Sequence, residues 1–402
     1  MADRRVEHLL IGGGIAAATC AQTLRDEGAQ GSILLVGREL DPPYHRPPIT
    51  KGFLAGAESK DSTLIALPDD VEVLTRTSVM ALDPAARTAT LSTKETVEYG
   101  TALLATGAMV RRLQVDGTQL DGIHYLRALG NADALRRDVE GAERIVCVGG
   151  SYIGCEVAAT LAAQGKRCTV VLQEEEPLER GFGLQVGAWA RGVLEAHGVE
   201  VVSGVEVERF EGASEGAERV ARVVLAGGRA LPADVVVCGV GALPDVMLAR
   251  KSGLEIGPQG GVRADAQLRA AGADGLFVAG DIAEYDSPVH GREVRIEHEE
   301  VAAAHGRTVA RNMLGAGAEH VEVPYFWSDL ADWASVEYVG PAEGWDDEVL
   351  AGDLASGAFA VWYLRDGAVA GMLSAGGHGD IDRAKALIAS GEAVGAETLT
   401  AG

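Results

Sequence analysis

Two mostly apolar runs, each followed directly by a cluster of glycines, form the clearest pattern along this chain. They lie at residues 6–11 and 145–148. Short apolar runs bounded by glycine are typical of strands buried on both faces, as in a parallel sheet. Each run leads into a helical pattern and then a second apolar run. The sequence therefore predicts two βαβ units, with helices at residues 15 to about 27 and 154–164 and second strands at 33–36 and 168–172.

Alternating apolar and polar positions predict strands of another kind. Residues 71–74 and 88–91 alternate, so we expect antiparallel strands there, and residues 201–207 and 220–225 have the pattern of a β-meander. Further buried strands are predicted at residues 102–105, 235–240 and 276–279, and an amphipathic helix at 299–313. A change in composition near residues 316–323 marks a last unit, which holds four of the five tryptophans. The predicted fold class is α/β with a small α+β C-terminal domain.

The glycine clusters match the fingerprint of a dinucleotide-binding βαβ unit. In the first, Gly12 allows a tight turn and Gly14 lets the backbone approach a pyrophosphate, while Ala17 stands at the third glycine position. In the second, Gly149 and Gly154 keep their places and Ser151 replaces the middle glycine. One such motif is weak evidence, but two in order predict two bound dinucleotides. Two dinucleotides that face each other pass a hydride from a nicotinamide to a flavin.

Acidic residues follow the second strand of each unit, where a ribose hydroxyl is usually bound. Beyond the first unit, Glu39 is the natural acceptor, but Arg38 lies nearer the strand, and both assignments stay open. Beyond the second unit come Glu174, Glu175 and Glu176, of which we expect one to contact the ribose. Carboxylates at this position repel a 2′-phosphate, so the sequence favours NADH over NADPH.

The net charge of −24 argues against partners that need a basic surface, namely nucleic acids and anionic membranes. The five cysteines form no CxxC motif and no metal-ligand spacing, which predicts buried thiols in a reduced protein and no bound metal. There is no apolar span of about 18 residues, and the first strand begins too early for a signal peptide. We therefore expect a cytoplasmic protein.

Two further sites have chemical interest. Gly280 and Asp281 end a late apolar strand, where the carboxylate suits either a flavin contact or an ordinary helix N-cap. Lys51, at the end of a proline-rich loop, and Glu156, in the first turn of the second helix, are a candidate ion pair. A cation beside a flavin stabilises the negative charge that develops on its reduction.

Together these residues resemble the FAD-dependent ferredoxin reductases of oxygenase systems, the family of putidaredoxin reductase, biphenyl dioxygenase reductase and apoptosis-inducing factor. The resemblance covers nearly the whole chain, and such co-linear matches are highly specific. It rests on six motifs, PYHRPPITK at residues 43–51, GGSYIGCE at 149–156, GVG at 239–241, FVAGD at 277–281, RIEHE at 295–299 and PYFWSDL at 324–330.

The resemblance implies two Rossmann-like domains, arranged as in glutathione reductase, that bind FAD and NADH. It implies that FAD is held by Gly12, Gly14, Ile15, Ala16, Ala17, Arg38 or Glu39, Arg46, Lys51, Val79, Arg127, Gly280, Asp281, His298, Glu299 and Trp327. It implies that NADH is held by Gly149, Gly150, Ser151, Tyr152, Ile153, Gly154, one acid represented by Glu174, Gly241 and Glu297. The catalytic residues would be Lys51, Glu156, Tyr152 and Trp327, with Lys51 and Glu156 near the flavin N5 and Tyr152 near the nicotinamide.

The implied domains are residues 1–112 and 244–320 for FAD, 113–243 for NAD and 321–402 for a C-terminal reductase domain. The expected activity is NADH oxidation through FAD, with electrons passed to a small [2Fe–2S] ferredoxin that serves a cytochrome P450 or a Rieske oxygenase. Residues 40–66 contain no cysteine, so the electrons are expected to leave the flavin directly. Two alternatives stay open, a diaphorase-like reductase of quinones or oxygen, and an NADH-sensing redox protein like apoptosis-inducing factor.

Overall fold

The computed structural model describes residues 2–340 and 344–400. The chain forms two compact units, and each is assembled from three separate stretches. The first unit contains Met1–His45, Thr63–Met109 and Leu243–Phe326, and the second contains Arg46–Ser62, Val110–Ala242 and Trp327–Gly402.

The described residues form these helices: α1 (Ile15–Asp26), α2 (Gly52–Ala55), α3 (Lys60–Thr63), α4 (Leu129–Glu140), α5 (Tyr152–Ala163), α6 (Glu179–Ala196), α7 (Met247–Lys251), α8 (Glu299–Met313), α9 (Ile381–Ser390) and α10 (Ala396–Thr400). They form these strands: β1 (Arg4–Ile11), β2 (Ile33–Val36), β3 (Glu72–Leu74), β4 (Val79–Asp83), β5 (Thr88–Leu91), β6 (Thr96–Leu104), β7 (Ala108–Val110), β8 (Ile123–His124), β9 (Arg144–Val148), β10 (Arg167–Val171), β11 (Glu200–Val202), β12 (Val207–Gly212), β13 (Val220–Leu225), β14 (Ala230–Pro232), β15 (Val235–Cys238), β16 (Ala242–Pro244), β17 (Val262–Ala264), β18 (Leu276–Val278), β19 (Ala283–Ser287), β20 (Arg292–Val294), β21 (Tyr325–Leu330), β22 (Ala334–Val339), β23 (Asp347–Asp353), β24 (Ala358–Arg365) and β25 (Ala368–Ala375).

The main sheet of the first unit is a parallel layer in the order β3-β2-β1-β6, with β18 added beside the second half of β6. β4 and β5 extend it as antiparallel strands along the first half of β6. The buried apolar side chains of β1, β2 and β18 form one core with α1 and α8. Because β1, β6 and β18 are adjacent and parallel, their carboxyl ends meet at one edge, where ligands bind in such sheets.

The second unit repeats this plan with the parallel order β11-β10-β9-β15-β8. A three-stranded antiparallel sheet, β12-β13-β14, packs its apolar face against it. The C-terminal strands form a separate sheet in the order β21-β22-β25-β24-β23. Its pairs β22–β25, β25–β24 and β24–β23 are antiparallel. The predicted class, two dinucleotide-binding folds with a small α+β C-terminal domain, is confirmed.

Two strand predictions were wrong. β3, at Glu72–Leu74, pairs with β2 in parallel as the edge strand of this sheet. Glu72 is exposed because one side of an edge strand is open to solvent, and not because the strand is antiparallel. The single strand predicted at 201–207 is two strands, β11 and β12. Gly204 lies between them with a φ of +68°, a left-handed backbone that no regular strand contains. β11 therefore joins the parallel sheet and β12 the meander.

Candidate functional site

The first glycine turn connects β1 to α1 in the first unit. Gly12 has a φ of +137°, and a Cβ built there would lie 2.0 Å from the carbonyl oxygen of Ala105. Gly14 is the N-cap of α1, and no described atom lies within 4 Å of a Cβ added there. No described side chain caps the helix, and its first turn has no acidic residue. Open space above free backbone N–H groups at a helix N-terminus suits a pyrophosphate, so this turn fits a dinucleotide.

Other predicted residues of the first unit surround this turn. Ala16 and Ala17 are buried, and Ile15 packs partly against the core. Gly280 follows β18 and has a φ of +74°, and a Cβ there would lie 3.6 Å from the Cβ of Ala16. The structure therefore brings the Gly280-Asp281 turn next to the first fingerprint. The backbone N–H of Gly280 donates to Nδ1 of the buried His305, 3.2 Å away, which holds this turn in place.

The two candidates for the flavin ribose have different partners. Arg38 is half-exposed and pairs with the buried Asp245, with 2.5 Å between Nη1 and Oδ2. Glu39 accepts a hydrogen bond of 2.5 Å from the hydroxyl of Tyr44, which is fully buried. Each side chain is thus oriented from within the first unit. Neither geometry decides which residue binds the ribose, and the assignment stays a prediction.

The remaining predicted residues of this unit lie on β4 and around the start of α8. Val79 begins β4 and packs against the core, and the ring of His298, the N-cap of α8, stacks on Phe326 with centroids 3.9 Å apart. Glu299 pairs with Nδ1 of His45 at 2.7 Å. Arg295 connects two predicted residues, since its Nη1 lies 3.0 Å from the carbonyl oxygen of Asp281 and 2.5 Å from Glu297.

The second glycine turn connects β9 to α5 in the second unit. Gly149 has a φ of +110°, and a Cβ there would lie 2.3 Å from the carbonyl oxygen of Gly239. Ser151 is the N-cap of α5 but does not cap it, because its hydroxyl donates instead to the Gly239 carbonyl at 2.7 Å. As at α1, the first turn has no acidic residue. The helix begins at Tyr152, two residues before the predicted start, so Glu156 lies beyond the first turn and its predicted place there was wrong. The serine therefore leaves the helix N-terminus open, and this turn also fits a dinucleotide.

Close packing surrounds this second turn. A Cβ on Gly154 would lie 2.0 Å from the Gly149 carbonyl oxygen, and one on Gly150 would lie 2.7 Å from Leu172. Ile153 is half-buried in the same first turn, and Gly241 follows the end of β15 with a φ of +98°. The predicted residues at these positions are thus brought together at one edge of the second parallel sheet.

The three acidic residues after β10 are not equivalent. Glu176 is held by Arg191 of α6, with 2.6 Å between Oε2 and Nε, and Arg191 also donates to the Glu175 carbonyl. Glu174 forms an ion pair with Arg180, whose side chain is 80% exposed. Glu176 is therefore held by a partner within the unit, and which of the three acids contacts a ribose stays a prediction. Arg180 is a neighbouring positive charge, and the sequence already offered it as a residue that could offset the acids toward NADPH.

The predicted ion pair is present within the second unit. Nζ of Lys51 lies 2.6 Å from Oε1 of Glu156, whose side chain is only 8% exposed. The hydroxyls of Thr50 and Ser328 each donate to the same carboxylate at 2.7 Å. Asp329 adds a second carboxylate 4.0 Å from the Lys51 ammonium. Three donors around one buried carboxylate hold both its charge and the lysine in a single geometry.

Sequence reasoning missed Thr50, Ser328 and Asp329. All three lie inside the motifs that carried the family resemblance, within two positions of Lys51 or Trp327. That adjacency was the only signal. Trp327 is half-buried on β21, one position before Ser328. Arg46 donates to the carbonyl oxygen of Arg127 at 2.5 Å, so these two predicted residues also meet.

Tyr152 begins α5 and contacts the ring of Phe182 edge-on, with centroids 5.5 Å apart. Desolvation raises the pKa of its hydroxyl well above the ordinary value, and the nearby Tyr338 and Glu156 add to the increase. The ring is therefore a neutral aromatic surface at the start of the same helix that carries Glu156.

The five cysteines are all buried and free. Desolvation raises the pKa of every thiol, to about 12 for Cys168 and Cys238. Buried thiols with raised pKa values are poor nucleophiles. The expectation of buried cysteines is confirmed, and the described part of the chain contains no redox-active cysteine pair.

Two parallel sheets, each with an open glycine turn at its helix N-terminus, define a protein of the two-dinucleotide oxidoreductase class. Comparison with known families agrees. Residues 6–306 match the pyridine nucleotide-disulphide oxidoreductase family, and the chain belongs to this family. Residues 325–401 match the reductase C-terminal family.

Several curated relatives and solved structures are similar over almost the full length. The probable ferredoxin reductase CtmF of Castellaniella defragrans is 34% identical, covering 92% of this chain and 89% of its own. The ferredoxin–NAD(+) reductase subunit of the benzene 1,2-dioxygenase system of Pseudomonas putida is 33% identical, covering 94% and 91%. The putidaredoxin reductase in a covalent complex with putidaredoxin has a TM-score of 0.91 and 30% identity, covering 100% and 96%. The predicted family resemblance is confirmed. In the described part of the chain, the longest helices are too short or too polar to cross a bilayer.

Proposed function

We propose that this protein is an FAD-containing, NADH-dependent reductase that passes electrons to a small [2Fe–2S] ferredoxin. The observation that carries the proposal is the pair of uncapped glycine turns before α1 and α5, each of which fits a pyrophosphate. The relatives named as ferredoxin reductases, and the putidaredoxin complex, support the choice of acceptor. An oxygenase of the Rieske or cytochrome P450 class is the proposed final consumer of the electrons.

The cofactor residues are proposed from the resemblance and from the local geometry. We assign FAD to the turn at Gly12 and Gly14 and to the nearby Asp281, and NADH to the turn at Gly149 and to Glu174. A bound flavin would supply the conversion of a two-electron donor into single-electron transfers. The protein supplies position and charge, and its buried thiols take no part.

The Lys51–Glu156 pair has the proposed role of an oriented positive charge. Glu156 is buried and accepts from Thr50 and Ser328 as well as from Lys51, so the ammonium group is held by a fixed carboxylate. A preorganised charge stabilises a developing negative charge without the cost of reorganising solvent. We assign Lys51 this role toward the reduced flavin, with Glu156 as its positioning residue. Tyr152 and Trp327 are proposed as aromatic residues that contact the cofactors.

We also propose a cytoplasmic location, because five free, buried thiols suit a reducing compartment.

The cofactor is tested first by denaturing the purified yellow protein and identifying the released flavin by chromatography. We expect one FAD per chain. FMN, or no flavin in protein expressed with ample riboflavin, would contradict the proposal.

The acceptor is tested by steady-state assays with NADH against purified ferredoxins, quinones and oxygen. Rapid reduction of a [2Fe–2S] ferredoxin supports the proposed function. Faster turnover with quinones or oxygen than with any ferredoxin would indicate the diaphorase alternative. A long-lived complex of NAD with the reduced protein, and little turnover with every acceptor, would indicate a sensor like apoptosis-inducing factor.

A further inference from the structure

Helix α6 is broken near its beginning, at Gly183. This residue has a φ of 82° and a ψ of 173°, which no α-helix contains, so the segment Glu179–Phe182 forms a separate first turn. A break in a helix leaves backbone carbonyls without their usual partners. The hydroxyl of Tyr363 on β24 donates to the carbonyl oxygen of Phe182 at 2.8 Å, and both side chains are fully buried. A residue of the C-terminal sheet thus satisfies the backbone at the break.

Two more residues of the C-terminal part press on the same point. A Cβ built on Gly183 would lie 2.5 Å from Oε1 of Glu348 and 3.3 Å from the ring of Trp345. Trp345 donates from Nε1 to that same Oε1 at 2.7 Å, and its ring lies 4.8 Å from the ring of Tyr363. The break is therefore held by a connected set of side chains, and only glycine leaves room for them.

The turn held in this way contacts Tyr152. The ring of Phe182 lies 5.5 Å from the Tyr152 ring and 5.3 Å from the Tyr338 ring, and Tyr338 lies 6.0 Å from Tyr363. A Cβ on Gly181 would lie 2.5 Å from the Tyr152 hydroxyl. Two consecutive residues of the turn, Gly181 and Phe182, therefore determine where the Tyr152 ring lies. The contacts run without a gap from Trp345 and Tyr363 to Tyr152.

We propose that Tyr363 is a positioning residue for NADH binding. By holding the Phe182 carbonyl at the helix break, it keeps Phe182 and Gly181 against Tyr152, so the C-terminal sheet sets the surface that receives the nicotinamide. The inference rests on the proposed role of Tyr152. It gives the C-terminal sheet a role in the binding of NADH, the electron donor.

The test uses Tyr363→Phe in the purified flavoprotein, which removes the hydroxyl and keeps the ring that packs on Trp345 and Tyr338. We expect the dissociation constant for NAD⁺, measured by titration calorimetry, to rise about three- to tenfold, the range for losing one buried hydrogen bond. The KM for NADH should rise with it, while the KM for ferredoxin stays unchanged. If the hydroxyl had only a general structural role, its loss would change both the KM for NADH and the KM for ferredoxin, or neither of them.

The matched control is Tyr125→Phe, which removes another buried tyrosine hydroxyl of the same unit, one that accepts from the backbone N–H of Leu113 at 3.2 Å. It should leave NAD⁺ affinity at the wild-type value. Trp345→Phe provides a second variant should Tyr363→Phe fold poorly, and it should weaken NAD⁺ binding in the same direction and by less.

Unchanged NAD⁺ affinity in the folded variants, beside a wild-type protein that binds NAD⁺, would overturn the positioning role alone. Equal weakening by Tyr125→Phe would also overturn it. A wild-type protein that binds neither NAD⁺ nor NADH would overturn the proposed function, and the inference with it.

Discussion

The Lys51–Glu156 pair allows the effect of one charge on stability to be separated from its effect on activity. Lys51→Met removes the ammonium 2.6 Å from a carboxylate that is 8% exposed. Breaking a buried ion pair from one side costs about 3–5 kcal/mol, because the other charge stays buried. Here Thr50 and Ser328 still donate to the carboxylate, so we expect a smaller cost, about 2–3 kcal/mol.

The double variant provides the control. Lys51→Met with Glu156→Gln removes both charges and keeps the shape of both side chains, so the free energy of unfolding should return to within about 1 kcal/mol of wild type. The rate of flavin reduction by NADH should not return. We expect Lys51→Met to slow it roughly ten- to a thousandfold, Glu156→Gln to slow it less, and the double variant to be no slower than Lys51→Met.

Urea unfolding measures the first quantity, and anaerobic stopped-flow reduction by NADH measures the second. If Lys51→Met is as stable as wild type, the buried carboxylate does not depend on the lysine. If Lys51→Met is reduced at the wild-type rate, Lys51 only balances the charge of Glu156 and its proposed role toward the flavin is wrong. Recovery of the reduction rate in the double variant would show that the charge itself has no part in the reaction.

Three further predictions concern the cofactor, the thiols and the response to acid. NADH should have a kcat/KM about 5- to 150-fold above that of NADPH because of the Glu174 carboxylate. Arg180→Ala should widen this ratio, because it removes the positive charge beside that carboxylate. Equal kcat/KM values for the two cofactors would mean that Glu174 points away from the ribose. Replacing all five cysteines by serine, or alkylating the folded protein, should leave NADH-dependent dye reduction largely intact, and loss of turnover with flavin still bound would reveal a redox thiol. Burial lowers the pKa of His320 to about 4 and that of His305 well below its ordinary value, so below pH 6.5 the unfolded chain binds protons that the folded protein does not. His320 should then reduce the free energy of unfolding by at most about 1.4 kcal/mol per pH unit as the pH falls from 6.5 to 4, and His305 should act in the same direction. A His320→Gln variant with the same pH slope as wild type would refute this.

Much of the fold follows from local pattern. The predicted bounds of α8 and of β13 agree with the structure to the residue. The amphipathic repeat of α8 fits only a helix, and the valine-rich run of β13 fits only a strand. The errors concern strands whose direction or limits depend on the strand they pair with. Glu72 is exposed because β3 is the edge of a parallel sheet, and an edge cannot be recognised from one strand alone.

The candidate site was predictable in part. The two glycine turns are local in sequence, so the pattern of residues around Gly12 and Gly149 was enough to locate them. The ion pair of Lys51 and Glu156 was expected, but its hydroxyl donors were not, because the hydrogen bond from Ser328 crosses 172 positions of sequence. The direction of the Ser151 hydroxyl was equally hidden, since it depends on where the end of β15 lies.

The way the Glu156 carboxylate is built also bears on how the protein folds. Its partners come from a loop 106 positions before it and a strand 172 positions after it. Closing such long loops is slow and costs chain entropy that only completed packing repays. During synthesis, the carboxylate is made long before Ser328 leaves the ribosome, and the pocket cannot close until that strand has docked. The Ser328 contact therefore forms late, and a chain stalled before its C-terminal sheet lacks one of the three donors to Glu156.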